Sequence, residues 1–271
     1  MQENEIVDMI KKYGVSSNDR VILNGGEPTL HPNLIKFLQL FHMTGAEIVL
    51  YTNGRKLKDN DYCYKLVQMV ERIVIPIHGE ESVHDVITRK KGSFHDTMYG
   101  IRNVLEIDNK KLEIKFIVTN DMILSDFSFN EFLINNRYNP NNLALTGVVS
   151  TNVSQFNKFP LPSSDELGKY ISRQLNSLIY NFAGSIKLFD CELCHLTDEL
   201  REYIDNLPLE VDNRINYNFF YFDGKYNTGK LIHYNEIRHC EKCNLTNICR
   251  RITDACIVLE ICHNRKNIVL E

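Results

Sequence analysis

Between residues 4 and 149 the chain alternates helical and extended patterns, and no other feature limits the fold so strongly. Helices are expected over 4–13, 32–43, 58–70 and 94–106, and apolar strand-like runs over 20–24, 47–51, 72–77, 112–118 and 142–149. The stretch 127–137 reads as a helix or a loop. Strands separated by helices return to one sheet in parallel, through right-handed crossovers. A curved, mainly parallel sheet with its strands in chain order is therefore expected. Too few strands follow residue 150 to close an eight-fold barrel. Ser93 is expected to cap the helix carrying Phe94, Met98, Ile101 and Leu105, and Ser163 with Glu166 to form a capping box opening helix 164–180.

Composition sets outer bounds. At 271 residues and 43% hydrophobic, the chain can bury one substantial core with a modest appendage. Its 31 basic and 35 acidic residues leave a net charge of −4, which gives no electrostatic case for nucleic acid or an anionic membrane. No apolar run approaches the roughly 20 residues that cross a bilayer. The polar start shows no signal peptide, so a cytoplasmic location is expected. Without export signals, the eight cysteines read as reduced thiols or metal ligands.

The strand ends carry the chemistry. Val21-Ile22-Leu23 runs into Asn24, then Gly25-Gly26-Glu27-Pro28. The glycines can take φ > 0 and let a ligand approach the backbone. Pro28 fixes the exit, and Glu27 is an acceptor suited to a ligand ammonium. The second strand ends in Thr52-Asn53-Gly54, the third in His78-Gly79, and Asn120 follows the fourth. Each has a plainer reading: Asn53 as the stabiliser of a left-handed turn, His78 as a surface turn residue, Asn120 as a turn residue. His84-Asp85 is expected to be a buried hydrogen-bonded pair bracing its loop.

This ordered series, through Lys91-Gly92-Ser93-Phe94, resembles the radical S-adenosylmethionine superfamily over roughly residues 1–150. The resemblance implies that Gly25, Gly26, Glu27 and Pro28 hold the aminoacyl end of S-adenosylmethionine, with Thr52, Asn53, His78 and Asn120 lining the same cavity. It implies reductive cleavage of the cofactor to a 5′-deoxyadenosyl radical. The family's C-x3-C-x2-C loop, whose thiolates hold a [4Fe–4S] cluster, does not occur in these residues. The helix at 4–13 resembles the one that follows that loop, so a first strand and its loop are expected upstream of Met1.

Cysteines form the second signal. Cys191 and Cys194 are spaced C-x2-C, and Cys240, Cys243 and Cys249 follow C-x2-C-x5-C. Two-residue spacing lets both thiolates face one ion. Cys191, Cys194, Cys240 and Cys243 would make a four-thiolate zinc site. Equally, Cys240, Cys243 and Cys249 with one upstream cysteine would make a [4Fe–4S] site. The pattern resembles the auxiliary-cluster extension of radical enzymes that modify peptides. Cys256, Cys262 and His263 are spare candidates, and Cys63 reads as a buried thiol.

The expected architecture is a partial (β/α)6 TIM-like barrel lacking its first strand (1–155), a connector and helix (156–184), and a small cysteine-rich α+β extension (185–271) that binds metal. The expected function is radical modification of a substrate, a peptide by resemblance. The alternatives are a non-catalytic relative that binds a peptide or partner protein, and a zinc-stabilised α/β scaffold.

Overall fold

The structure is a computed structural model. It describes residues 2–147, 162–189, 196, 197 and 200, and the backbone of short strands at 217–220, 226–227, 256–257 and 266–270.

The alternation is present as expected, with sharper boundaries. The strands are β1 (Asp19–Leu23), β2 (Glu47–Tyr51), β3 (Arg72–Ile77), β4 (Leu112–Val118), β5 (Asn142–Gly147) and β6 (Ser185–Phe189). The helices are α1 (Glu3–Tyr13), α2 (Leu34–His42), α3 (Asn60–Val67), α4 (Glu81–Thr88), α5 (Ser93–Asp108), α6 (Asn120–Leu124), α7 (Phe129–Asn136) and α8 (Ser164–Asn181). The uncertain stretch 127–137 resolves into α7, because the Ser128 side chain caps it by accepting from the Glu131 amide at 3.2 Å. Short α4, within the loop after β3, was not anticipated.

The capping box at Ser163 and Glu166 forms as expected. The cap of α5 does not. Gly92, at φ 79°, occupies the N-cap position and Ser93 is the first helical residue. Asp85 supplies the missing acceptor, taking hydrogen bonds from the Gly92 amide (2.5 Å), the Phe94 amide (2.9 Å) and the Ser93 hydroxyl (2.9 Å). A carboxylate accepts several donors where a serine hydroxyl accepts fewer.

Strands β1 to β6 lie side by side in chain order, every neighbouring pair parallel. The sheet stays open. On the far side of β6 lies the antiparallel backbone pair β9 (Cys256–Ile257). On the other flank of β1, where a strand from upstream of Met1 was expected, lies β10 (Lys266–Leu270), parallel and in register from Asp19–Lys266 to Leu23–Leu270. Strand β7 (Tyr217–Phe220) follows, then β8 (Tyr226–Asn227), antiparallel to β7.

Strands β1 to β6 have two different faces. Val21, Ile48, Ile73, Ile75, Ile114, Phe116 and Leu143 join the helices in one apolar core, with Leu38 and Phe41 of α2, Ile101 and Val104 of α5 and Ile171 of α8. Val49, Val74 and Ala144 are buried yet stand outside that core, because the pleat turns alternate residues to the other, inner face. There the register aligns Arg20 with Glu47, then Val49 with Arg72, Val74 with Glu113, and Ala144 with Lys187.

Helix α5 is seated on the turn leaving β2. A Cβ on Gly100 would come within 2.1 Å of the Gly54 carbonyl oxygen, so only glycine permits this approach. The Thr97 hydroxyl donates to the Asn53 carbonyl at 2.9 Å, and the Asn103 amide group to the Leu57 carbonyl at 2.8 Å.

Candidate functional site

Because β1 to β5 are parallel neighbours, their carboxyl ends form one rim. Gly25–Pro28, Thr52–Asn53, His78 and Asn120 all sit there, immediately after β1, β2, β3 and β4. Gly25 and Gly26 have φ of 90° and 45°, the left-handed values that free the turn of side chains. Nothing lies within 4 Å of the position a Gly26 Cβ would take.

Glu27 is the hub of this rim. Its Oε1 accepts from the Thr29 hydroxyl (2.6 Å), the Thr29 amide (3.1 Å) and the Thr52 hydroxyl (2.6 Å). Its Oε2 accepts from the Asn53 amide at 2.7 Å. The carboxylate therefore organises the loop as well as facing it. A carboxylate offers about four acceptor positions, so Oε2 keeps capacity for one more donor. Pro28 opens the single turn Pro28–Leu30 and is buried.

Asn53 satisfies its turn reading. Its Oδ1 accepts from the Arg55 amide at 3.0 Å, and Gly54 follows in the left-handed region at φ 76°. Asn120 begins α6, directly after Thr119, whose side chain caps that helix.

His78 and His84 pack together, ring centroids 5.2 Å apart, and Nδ1 of His84 accepts from the His78 amide at 3.4 Å. His84 is 2% exposed. Burial, aided by His84, holds His78 down at about 4. Burial likewise holds His84 at about 4, with Asp85 opposing and Arg55 assisting. Both rings are thus neutral at pH 7. Nδ1 of His78 is buried with no hydrogen-bond partner among the described residues. The expected His84–Asp85 bond is replaced by two separate braces: His84 holds the end of β3, and Asp85 holds the start of α5. Burial opposes ionisation of Asp85, but the Phe94 and Gly92 amides and the Ser93 hydroxyl outweigh it and keep its carboxyl below the ordinary value.

The inner face was missed by the sequence reading. It carries ion pairs: Arg20 pairs with Glu47 at 2.9 Å, and Glu113 serves Lys187 at 2.8 Å and Arg72 at 3.5 Å. Lys187 and Glu113 side chains are only 4% and 3% exposed. On the same face Lys115, level with Lys187 in the register through Ala144, places its ammonium 5.8 Å from the centre of the Tyr51 ring. The available signal was Glu113 and Lys115 in β4 and Ser185 and Lys187 in β6, polar residues spaced two apart. Parallel strands covered by helices on both faces are apolar throughout, so this alternation marks a face without helices.

Cys191, Cys194, Cys240, Cys243 and Cys249 lie outside the described residues, as do Cys262 and His263. Among the described residues no group of three His, Cys, Asp or Glu is placed to hold a metal ion. Cys63 in α3 is fully buried, and burial with nearby Asp59 pushes its thiol up to about 12. No described helix is long and apolar enough to cross a membrane.

An open parallel α/β sheet with a glycine-turn carboxylate and polar strand ends at one rim defines a ligand-binding class of fold. The family model described as "Radical SAM superfamily" matches residues 1–131, so this part of the chain is similar to a radical SAM domain. It is 26% identical over 133 residues to the GTP 3',8-cyclase of Pasteurella multocida, covering 48% of this chain and 38% of that protein. It is 29% identical over 116 residues to the probable GTP 3',8-cyclase of Saccharolobus solfataricus, covering 42% of this chain and 36% of that protein. The matched part thus spans little more than a third of these curated relatives. Among solved structures, native anSMEcpe with bound AdoMet and Kp18Cys peptide superposes with a TM-score of 0.56 at 14% identity, covering 69% of this chain and 55% of that one. At that identity the likeness shows a shared fold.

Proposed function

We propose that the strand-end rim binds S-adenosylmethionine and that the protein takes part in radical chemistry started from that cofactor. One observation carries the reading. Glu27 is fixed by Thr29, Thr52 and Asn53 with acceptor capacity left on Oε2, beside two left-handed glycines with open space over Gly26. A methionyl ammonium would bind Glu27, and a backbone freed of side chains at Gly25 and Gly26 would lie along the aminoacyl group. His78 and Asn120, at the next strand ends, would face the rest of the molecule. When bound to a reduced [4Fe–4S] cluster, S-adenosylmethionine supplies a 5′-deoxyadenosyl radical that abstracts hydrogen. None of the described residues fits the cluster: the one described thiol, Cys63, is buried and protonated. This chain's described contribution is to hold and orient the cofactor.

The curated relatives are named for a GTP cyclase, which gives a peptide substrate no support. A second reading, binding without cleavage, applies to residues 1–271 taken by themselves, because they contain no C-x3-C-x2-C triplet. Without cluster chelation the affinity is expected at roughly millimolar, about 4 kcal/mol. Saturation-transfer NMR with S-adenosylmethionine tests this. Binding that falls at least tenfold in Glu27→Gln is the expected result. No binding, or binding indifferent to that change, sinks the proposal.

A further inference from the structure

His78 closes β3 at the rim, and its two ring nitrogens differ. Nδ1 is enclosed and has no hydrogen-bond partner among the described residues. Nε2 does not share that enclosure, and the residue as a whole is half-buried. A proton on Nδ1 would be a buried donor without an acceptor, a rarer state in folded proteins than an unfilled lone pair. The neutral ring therefore carries its proton on Nε2, at the open side, where it donates.

His84 is the ring packed against this one. It is 2% exposed, and the two ring centroids lie 5.2 Å apart at 50°. Its Nδ1 accepts from the His78 main-chain amide at 3.4 Å, so its own proton is also on Nε2. Phe94 meets the His84 ring edge-on at 5.7 Å. Gly79 makes the close return possible: it sits at φ 129°, and a Cβ there would come within 3.2 Å of Val83 Cγ1. The pair is thus held from α4 and α5 together, against the end of β3.

Enclosure bears on charge. Removing Nδ1 from water makes a second proton on His78 unfavourable, and a charged ring 5.2 Å away would add to the cost. Arg55, leaving β2, opposes a charge on His84. Asp85 on α4 favours one, but its carboxylate is committed to Gly92, Ser93 and Phe94. His95 of α5 turns instead to Glu81, 3.2 Å away. S-adenosylmethionine carries an ammonium and a sulfonium. A strand-end imidazolium would repel such a cation, whereas a neutral N–H donates to its oxygen or nitrogen acceptors without that penalty.

We propose that His84 is a positioning residue: it seals Nδ1 of His78 and so keeps the strand-end imidazole an uncharged Nε2–H donor toward a cationic ligand. The proposal rests on the reading of the rim as an S-adenosylmethionine site and adds what fixes the protonation state of that site.

The test is nitrogen-15 NMR of the full chain, in which two-bond couplings separate the Nε2–H, Nδ1–H and charged forms of each imidazole. His78 is assigned by its loss in His78→Gln. Saturation-transfer titrations with S-adenosylmethionine accompany it at about pH 7.5 and about pH 5.5. In the parent, His78 should be neutral and protonated on Nε2 at both. His84→Phe keeps a ring over Nδ1 and should behave like the parent. His84→Asn keeps an acceptor for the His78 amide but opens Nδ1 to water. It should raise the proton affinity of His78 at least tenfold, about one pH unit. On acidification its affinity for S-adenosylmethionine should fall at least threefold more than the parent's. A charged or Nδ1-protonated His78 in the parent at neutral pH overturns the proposal, and this readout needs no variant to fold. So does a folded His84→Asn in which His78 titrates as in the parent. S-adenosylmethionine binding with one pH response in all three proteins overturns this proposal alone, and no binding by the parent overturns the rim reading as well.

Discussion

The hydroxyl of Thr52 donates a 2.6 Å hydrogen bond to Oε1 of Glu27, tying the exit of β2 to the glycine turn that leaves β1. Thr52 is 3% exposed, so this bond has little competition from water. Replacing Glu27 by Ala would leave the Thr52 hydroxyl and the Asn53 amide without their acceptor. Hydrogen bonds to charged groups contribute about 1.5–3 kcal/mol each and are not additive, so a loss of about 2–4 kcal/mol is expected. Urea denaturation measures it, and a loss below about 1 kcal/mol would show that the turn does not depend on this carboxylate.

A pH dependence follows from the two histidines. In the folded protein His78 and His84 are held at about 4, below the ordinary 6.5. The unfolded chain therefore takes up protons first as pH falls. Their contribution to stability is complete above about pH 6.5 and is lost progressively down to about pH 4. The groups facing the pair are Asp85, which favours charged His84, Arg55, which opposes it, and the Phe94 ring. The urea midpoint should fall across that window, and less steeply in His84→Gln. Parallel profiles for the two proteins would contradict the assignment.

The Glu113–Lys187 pair gives a sharper contrast. Lys187→Met leaves Glu113 buried without its 2.8 Å partner and with the longer 3.5 Å contact to Arg72. Removing one member of a buried pair costs about 3–5 kcal/mol, whereas removing both with apolar replacements is often near neutral. The double variant Glu113→Leu/Lys187→Met should therefore be more stable than Lys187→Met alone. Equal or greater destabilisation of the double variant would show that the charges themselves hold these strands together.

For the cysteine-rich segment, the expectation comes from spacing alone. Anaerobically purified protein should contain either iron with sulfide or zinc, and Cys243→Ser should lower that content without shifting the melting of the sheet. Unchanged metal content in the variant, or none in the parent, rules out the site.

Much of the sheet was legible because its signals are local. Each of β2, β3 and β4 begins and ends where its apolar run does, and the glycine pair announced its left-handed turn. What escaped the sequence depends on residues far apart in the chain. The cap of α5 comes from Asp85, eight residues before Ser93, across an unanticipated helix. Glu27 appeared free to meet a ligand, yet Thr52 and Asn53 reach it from the next strand, 25 and 26 residues away. The inner face was hidden differently: Lys115 and Lys187 show their alternation within their own strands, but only the register reveals that they share a surface. Strand β10 could not be placed, since nothing in Lys266–Leu270 names β1 as its neighbour.

The backbone contact between Gly100 and Gly54 bears on how the rim meets a ligand. With no side chain to yield between helix α5 and the β2 exit, and with Asp85 clamping the same helix to the loop after β3, two of the rim's segments are set before anything binds. A ligand arriving there has little loop entropy to remove, so more of its contact energy is kept as affinity. The corresponding mark is kinetic. Association should follow a single bimolecular phase, linear in ligand concentration, and Gly100→Ala should convert it to one that saturates as rearrangement of the rim becomes limiting.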